Sequence, residues 1–141
     1  MVKREGLRIL VADDHEKMRI CLVQILEREF YVVGEVADGY ELIEAAVRLQ
    51  PDVIVSDVLM PGLTGTEAMT TLEAGGIDIP FVFVCSDEHL VKEVSDNFSA
   101  CIHKVDVLSE LPSAVRCATT TRVNRGEASR KRFKRLSEGP V

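Results

Sequence analysis

Short runs of apolar residues alternate along the chain with segments whose apolar residues recur every three or four positions. The runs are typical of strands buried on both faces, and the longer period is typical of helices with one apolar stripe. Strands are predicted at 8–12, 31–36, 53–57, 81–84 and 101–103. Helices are predicted at about 15–29, 42–47, 66–73 and 87–96, with a last helix after Ser109.

The apolar stripes predict which side chains each helix buries. In the first helix the stripe includes Cys21, in the second it includes Val47, and Pro51 closes the second. Gly75-Gly76 is expected to end the third helix. Ser109 is the predicted N-cap of the last helix, with Pro112 tolerated in its first turn. Its predicted buried face consists of Leu111, Ala114, Val115 and Ala118.

Alternation of strands and helices predicts an α/β fold. Successive βα units with right-handed crossovers give a doubly wound parallel sheet with helices on both faces. The 141 residues are enough for one domain with a sizeable core and, at most, an appendage. We assign the domain to residues 1–118 and a basic C-terminal extension, either a continuation of the last helix or disordered, to residues 119–141.

Charge is distributed unevenly between these two parts. The chain has a net charge of -6, but residues 119–141 carry seven bases and two acids, so the remainder carries about -11. The basic segment could contact nucleic acid, an acidic partner or its own domain, but a solvated extension is the simpler interpretation, and direct nucleic-acid binding is not expected. We find neither a signal peptide nor an apolar run of membrane-spanning length, which predicts a soluble cytoplasmic protein with no membrane partner.

Cysteine and histidine spacing gives no sign of a zinc site or a disulfide framework. The four cysteines form no CxxC or CxxH pair. Cys21 and Cys117 are predicted to pack on helix faces. The histidines, at positions 15, 89 and 103, have no companion at ligand spacing and are predicted to lie at the surface.

Polar residues follow three of the predicted strands. Asp13 and Asp14 come after the first, Asp57 ends the third, and Lys104 follows the fifth. Because the carboxyl ends of parallel strands meet at one edge of the sheet, these side chains should converge there. Three clustered carboxylates repel one another unless a cation holds them, and hard oxygen ligands suit Mg²⁺. A metal beside a free carboxylate, with a lysine to neutralise added charge, can accept a phosphoryl group.

These residues resemble the receiver domains of bacterial two-component response regulators. The matching pieces are the acidic pair at 13–14, DVLMPGLTG from Asp57, and Lys104, within a similarity that covers roughly residues 7–118. The stretch from Tyr31 to Gly65 is most similar to receivers joined to helix-turn-helix output domains. The resemblance implies a five-stranded, flavodoxin-like sheet of order 2-1-3-4-5.

The resemblance also implies a role for each residue of the predicted site. Asp57 would be the phosphoacceptor and Lys104 the partner of the phosphate. Asp14 and Asp57 would be direct Mg²⁺ ligands, Asp13 a ligand through water, and the backbone carbonyl of Leu59 would complete the set. The Leu59 side chain stands where other receivers position the hydrolytic water, which predicts a long-lived phosphoryl group.

The sequence departs from the receiver pattern around the fourth and fifth strands. Cys85, followed by Ser86, occupies the place of the Thr or Ser whose hydroxyl binds the phosphate, and a thiol is a weak donor. Cys101 replaces the aromatic residue of the switch, and Val105 replaces a common proline. The segment between Cys85 and Lys104 is shorter than usual by about one helical turn.

Cys85 and Cys101 are predicted on neighbouring strands, where a disulfide is conceivable. Two buried thiols in a reducing cytosol are the simpler interpretation. Both interpretations stay open at this point.

The predicted function is phosphorelay signalling without catalysis on an external substrate. The expected partner is a histidine kinase or phosphotransfer protein. A homodimer is a further candidate assembly, and the departures around the fourth and fifth strands leave its interface unassigned. One alternative is a degenerate receiver that acts as a constitutive or thiol-sensitive interaction module. Another is a DNA-binding regulator whose output domain lies outside this chain.

Overall fold

Five strands and five helices alternate along residues 6–120, the part of the chain that the computed structural model describes. The elements are β1 Arg8–Ala12, α1 Glu16–Glu27, β2 Tyr31–Val36, α2 Gly39–Leu49, β3 Val53–Asp57, α3 Gly65–Ala74, β4 Phe81–Cys85, α4 Glu88–Asn97, β5 Cys101–His103 and α5 Val107–Thr120. A single 3-10 turn, Lys104–Asp106, joins β5 to α5. Of the predicted extension, only Thr119 and Thr120 are described, at the end of α5.

The strands form one parallel sheet of order β2-β1-β3-β4-β5. Every residue of β3 and β4 is buried, as expected for strands covered on both faces. The predicted doubly wound α/β fold and its strand order are therefore confirmed.

Each face of the sheet has its own apolar core. Along β1, Leu10 and Ala12 point to one side and Ile9 and Val11 to the other, as the two-residue period of a strand requires. Helices α2, α3 and α4 cover the first core, and α1 and α5 cover the second. Within residues 6–120, every helix falls short of the length and hydropathy needed to span a bilayer.

The loop between β3 and α3 is held close to the end of β3. Thr64 caps α3 in a reciprocal capping box with Glu67. A Cβ on Gly65 would lie 2.4 Å from the Asp57 carbonyl oxygen and 2.8 Å from the Ser56 Oγ, so only glycine fits there. After α3, Gly76 adopts a φ of +82°, which agrees with the predicted helix end.

The predicted start of α5 is wrong. The helix begins at Val107, because the 3-10 turn runs directly into it, and Ser109 lies inside the helix and donates its hydroxyl to the Asp106 carbonyl. Pro112 therefore lies in the second turn and not the first. Its missing N–H deprives the Leu108 carbonyl of its intrahelical donor, which water can replace because Leu108 is exposed.

Three residues assigned to buried stripes are exposed. Cys21, Cys117 and Val47 face solvent, so the predictions that they pack into the core are wrong. In α1 the buried residues are Leu22, Ile25 and Leu26, which leaves Cys21 about 100° away from the centre of the stripe that starts at Leu22.

Candidate functional site

The carboxyl ends of four strands bring the predicted site residues to one edge of the sheet. Asp13 follows β1, Asp57 and Cys85 are the last residues of β3 and β4, and Lys104 follows β5. Asp13 is fully buried and Asp57 is only 5% exposed. Acidic side chains this inaccessible need compensating partners, which is why their contacts matter.

Lys104 lies between the two buried carboxylates. Its Nζ is 3.1 Å from Oδ2 of Asp57 and 3.5 Å from Oδ2 of Asp13. The Lys104 side chain is itself only 18% exposed. The structure therefore brings together three residues that sequence patterns placed at three different strand ends.

The electrostatics of this triad are unbalanced. Burial, with the neighbouring Asp13 charge, raises the pKa of Asp57, and the attraction of Lys104 offsets this only in part. Burial alone would lower the pKa of Lys104, but the Asp57 and Asp13 charges outweigh it and raise that pKa. Lys104 is therefore a cation at neutral pH. Its single positive charge lies beside two carboxylates and cannot neutralise both.

The loop between β1 and α1 is fixed around Asp13. Oδ1 of Asp13 accepts a hydrogen bond from the His15 backbone N–H at 2.9 Å. The Arg19 guanidinium donates to the Asp13 carbonyl at 2.8 Å and pairs with Glu35 at 3.4 Å. Arg19 is not among the residues predicted from the sequence. In the sequence, the feature that could have indicated Arg19 is its position, about a turn and a half of helix beyond the acidic pair.

Asp13, Asp14 and His15 are placed to share a metal ion. One donor atom from each lies within 4.8 Å of the others, and no other group of three or more such residues forms among residues 6–120. Oδ2 of Asp13 is buried and has no hydrogen-bond partner, so a cation would satisfy it. Hard carboxylate oxygens of this kind fit a divalent cation. His15 is at the surface, as predicted, but the prediction that it has no companion at ligand spacing is wrong.

Asp57 and Leu59 stand slightly apart from that group. Oδ2 of Asp57 faces Lys104, while its Oδ1 accepts a 3.4 Å hydrogen bond from the Leu59 backbone N–H. The Leu59 side chain is 58% exposed. The metal-ligand roles of Asp57 and the Leu59 carbonyl therefore stay predictions.

Cys85 is directed away from the solvent edge. Its side chain is buried in the core covered by α2, α3 and α4, whereas the adjacent Ser86 is exposed. The residue aligned with the phosphate-binding hydroxyl is thus a core side chain.

The strand register argues against a disulfide between Cys85 and Cys101. Cys101 pairs with Phe83, and Cys85 pairs with His103, so the two cysteines are diagonal neighbours on adjacent strands. Neighbouring strands lie about 4.8 Å apart and two residues advance about 6.6 Å along a parallel strand, so the Cα atoms of a diagonal pair are about 8 Å apart, beyond the usual reach of a disulfide. Burial above all, with the neighbouring Cys85 thiol and the Asp57 carboxylate, raises the pKa of the Cys101 thiol to about 12, which suppresses the reactive thiolate.

Comparison with known proteins gives a consistent result. The sequence model of the response regulator receiver domain matches residues 9–116. The transcriptional regulatory protein LiaR of Bacillus subtilis is 31% identical over 118 residues, covering 80% of this chain and 56% of that protein. The response regulator protein VraR of Staphylococcus epidermidis is 32% identical over 116 residues, covering 79% of this chain and 56% of that protein.

A solved structure with this architecture is the response regulator domain of Thermotoga maritima CheB. It superimposes with a TM-score of 0.73 at 30% identity, covering 82% of this chain and 98% of that domain. The chain spans about half of the length of LiaR and VraR.

Proposed function

The chain belongs to the response regulator receiver domain family of two-component systems, and on that premise we propose that it accepts a phosphoryl group on Asp57 from a histidine kinase or phosphotransfer protein. The observation that supports this most directly is the contact between Asp57 and Lys104 at the carboxyl edge of the sheet. A buried aspartate that is only 5% exposed and lies beside a cation is unusual in a purely structural role. It is a suitable phosphoryl acceptor.

In the proposed reaction a carboxylate oxygen of Asp57 attacks the phosphorus of a phosphohistidine. The P–N bond breaks, its electron pair stays on the imidazole nitrogen, and that nitrogen takes a proton from water. Lys104 then pairs with the new phosphoryl oxygens in place of the carboxylate it contacts now. The same transfer from a small phosphodonor needs only a different leaving group.

Asp13 and Asp14, with Asp57 and the Leu59 carbonyl as predicted additional ligands, would hold Mg²⁺. A bound divalent cation would neutralise charge on the phosphoryl oxygens during transfer. The Asp13 Oδ2, which accepts no hydrogen bond and shares the Lys104 ammonium with Asp57, supports the presence of such a cation in the working protein.

The response to phosphorylation should be weaker than in a receiver with a hydroxyl at position 85. Losing one hydrogen bond to a charged group forfeits about 1.5 to 3 kcal/mol, whereas carrying a two-state switch from mostly off to mostly on takes about 5.5 kcal/mol. Cys85 is buried in the core, and the hydroxyl closest to it in sequence is that of the exposed Ser86.

A second candidate function is a constitutive protein-interaction module. It is favoured by the placement of Cys85 and by three exposed apolar side chains near the site, namely Leu59, Val105 and Leu108. Val105, at 79% exposed, directly follows Lys104, so a partner bound there would lie beside a residue of the site. We expect catalysis on an external substrate in neither case.

The name of LiaR suggests a third context, in which this domain regulates transcription through an output domain that it does not contain itself. We do not assign direct nucleic-acid binding to residues 119–141, and a homodimer is a further candidate assembly.

Intact-protein mass after incubation with a small phosphodonor tests the proposal. The full chain should gain one phosphoryl mass in the presence of Mg²⁺, and Asp57→Asn should not. Asp96→Asn, which changes an exposed acid on α4, is the matched control and should behave like the wild type. A folded wild-type chain that gains no mass would favour the interaction module.

A further inference from the structure

We propose that His15 supplies an imidazole ligand at the acidic edge, so that Asp13, Asp14 and His15 bind a divalent transition metal such as Ni²⁺ more tightly than Mg²⁺. The inference deepens the proposed function, because it concerns the metal preference of the same acidic site. It differs from the predicted ligand set, which contains oxygen donors only.

The distances permit a shared ion. The donor atoms of the three residues lie within 4.8 Å of one another. Ligands about 2.0 to 2.2 Å from one metal lie at most about 4.4 Å apart, so the set needs only a small contraction. Asp14 and His15 are both exposed, and their side chains are free to make that adjustment.

The Asp13 carboxylate has less positive charge beside it than its burial calls for. It is fully buried, its Oδ2 accepts no hydrogen bond, and the Lys104 Nζ that lies 3.5 Å from this oxygen is closer to Asp57, at 3.1 Å. Its Oδ1 is taken by the His15 backbone N–H, and this contact fixes His15 beside the acidic pair. A second cation near Oδ2 would satisfy an oxygen that otherwise carries the cost of an unmade hydrogen bond.

The chemistry of imidazole then determines for which cation His15 raises the binding affinity. Mg²⁺ prefers oxygen ligands and retains its water, so it gains little from His15. Ni²⁺ and Zn²⁺ bind imidazole well and stand above the earlier first-row metals in affinity for mixed nitrogen and oxygen sites. His15 should therefore raise affinity for these metals selectively.

Isothermal titration of the full, untagged chain with Ni²⁺ and, separately, with Mg²⁺ tests the inference. The background should carry Cys21→Ser and Cys117→Ser, because these exposed thiols could bind Ni²⁺ themselves. His15→Gln should weaken Ni²⁺ binding at least about tenfold and change Mg²⁺ binding by less than about twofold. His89→Gln, at an exposed position on α4, should change neither.

Two results would overturn the inference. Equal Ni²⁺ affinity with and without the His15 imidazole would show that it is not a ligand, and equal losses for both metals would show an effect on the loop. Phosphorylation of Asp57 is measured separately, by mass in Mg²⁺. A His15-dependent Ni²⁺ site in a chain that cannot be phosphorylated would therefore refute the proposed function and retain this inference.

Discussion

Replacing Lys104 by methionine removes the one basic side chain of residues 6–120 that contacts both buried acids. Methionine keeps most of the aliphatic volume, so the loss is mainly one of charge. In the wild type the ammonium lies 3.1 Å from Asp57 and 3.5 Å from Asp13. Without it, no basic side chain in the described part of the chain lies at these distances from either carboxylate.

Removing one partner of a buried ion pair costs about 3 to 5 kcal/mol. Lys104 is 18% exposed and regains little solvation on removal, but water can reach the space it leaves. We therefore expect Lys104→Met to lower the free energy of unfolding by about 3 kcal/mol at neutral pH, the lower end of that range. This corresponds to a fall of roughly 10 °C in Tm. Adding Asp57→Asn to Lys104→Met should recover about half of that loss, because it removes one of the two opposed carboxylates.

Urea unfolding at several pH values measures these free energies. Without Lys104 the pKa of Asp57 rises further in the folded state, so the folded variant binds a proton that the unfolded chain does not. The destabilisation should shrink as the pH falls from neutral into the acid range. The wild-type stabilisation is fully present at neutral pH, because the raised pKa of Lys104 lies far above it.

Lys92→Met, on the exposed side of α4, is the control and should change stability by less than about 0.5 kcal/mol. A loss below about 1 kcal/mol for Lys104→Met at neutral pH would refute the electrostatic account of the site. The account would also be refuted if Lys104→Met with Asp57→Asn lost as much unfolding free energy as Lys104→Met alone.

Three further changes follow from the same edge of the sheet. Asp57→Asn alone should stabilise the protein at neutral pH, because the raised pKa of Asp57 means that its charged form is disfavoured in the folded state; in urea unfolding the gain should vanish below the usual titration range of aspartate. Gly65→Ala should cost about 1 to 3 kcal/mol, since its Cβ would lie 2.4 Å from the Asp57 carbonyl, whereas Gly75→Ala, with no neighbour closer than 3.5 Å, should be tolerated; equal effects would contradict this account of packing. Leu59→Asn should accelerate loss of the phosphoryl group in a mass-based time course, because an amide can orient the attacking water that the exposed leucine cannot, and an unchanged decay rate would count against that role.

Much of this architecture could be predicted from the sequence because the signals are local. Short, largely apolar runs such as VIVSD and FVFVC indicate buried strands, and the parallel alternation then brings Asp13, Asp57 and Lys104 together. The predicted start of α5 was wrong because its signal is not local. A serine near a predicted helix start is compatible with an N-cap, and only the 3-10 turn after Lys104 shows that the helix has already begun.

His15 and Arg19 illustrate the part of the site that sequence spacing leaves open. A histidine directly after two acids has no standard ligand spacing, since adjacent residues converge only when the chain turns sharply between a strand and a helix. Here the Asp13 side chain caps the His15 backbone N–H, and Arg19 reaches back to the Asp13 carbonyl. These bonds belong to the loop conformation, so the ligand group becomes visible only in three dimensions.

The position of Cys85 could be predicted from the local sequence, but its contacts could not. Under the proposed function, these contacts affect how the site is coupled to the rest of the domain. Its place at the end of β4 follows from the apolar run, but its burial with the α2, α3 and α4 core depends on strand register. The same register sets Cys101 opposite Phe83, so the two thiols are diagonal and a disulfide is disfavoured. Under the proposed function, a chain with a thiol in place of the hydroxyl donor and with no redox pair would keep the acceptor chemistry at Asp57 and would weaken the link between that chemistry and the surface of α4 and β5.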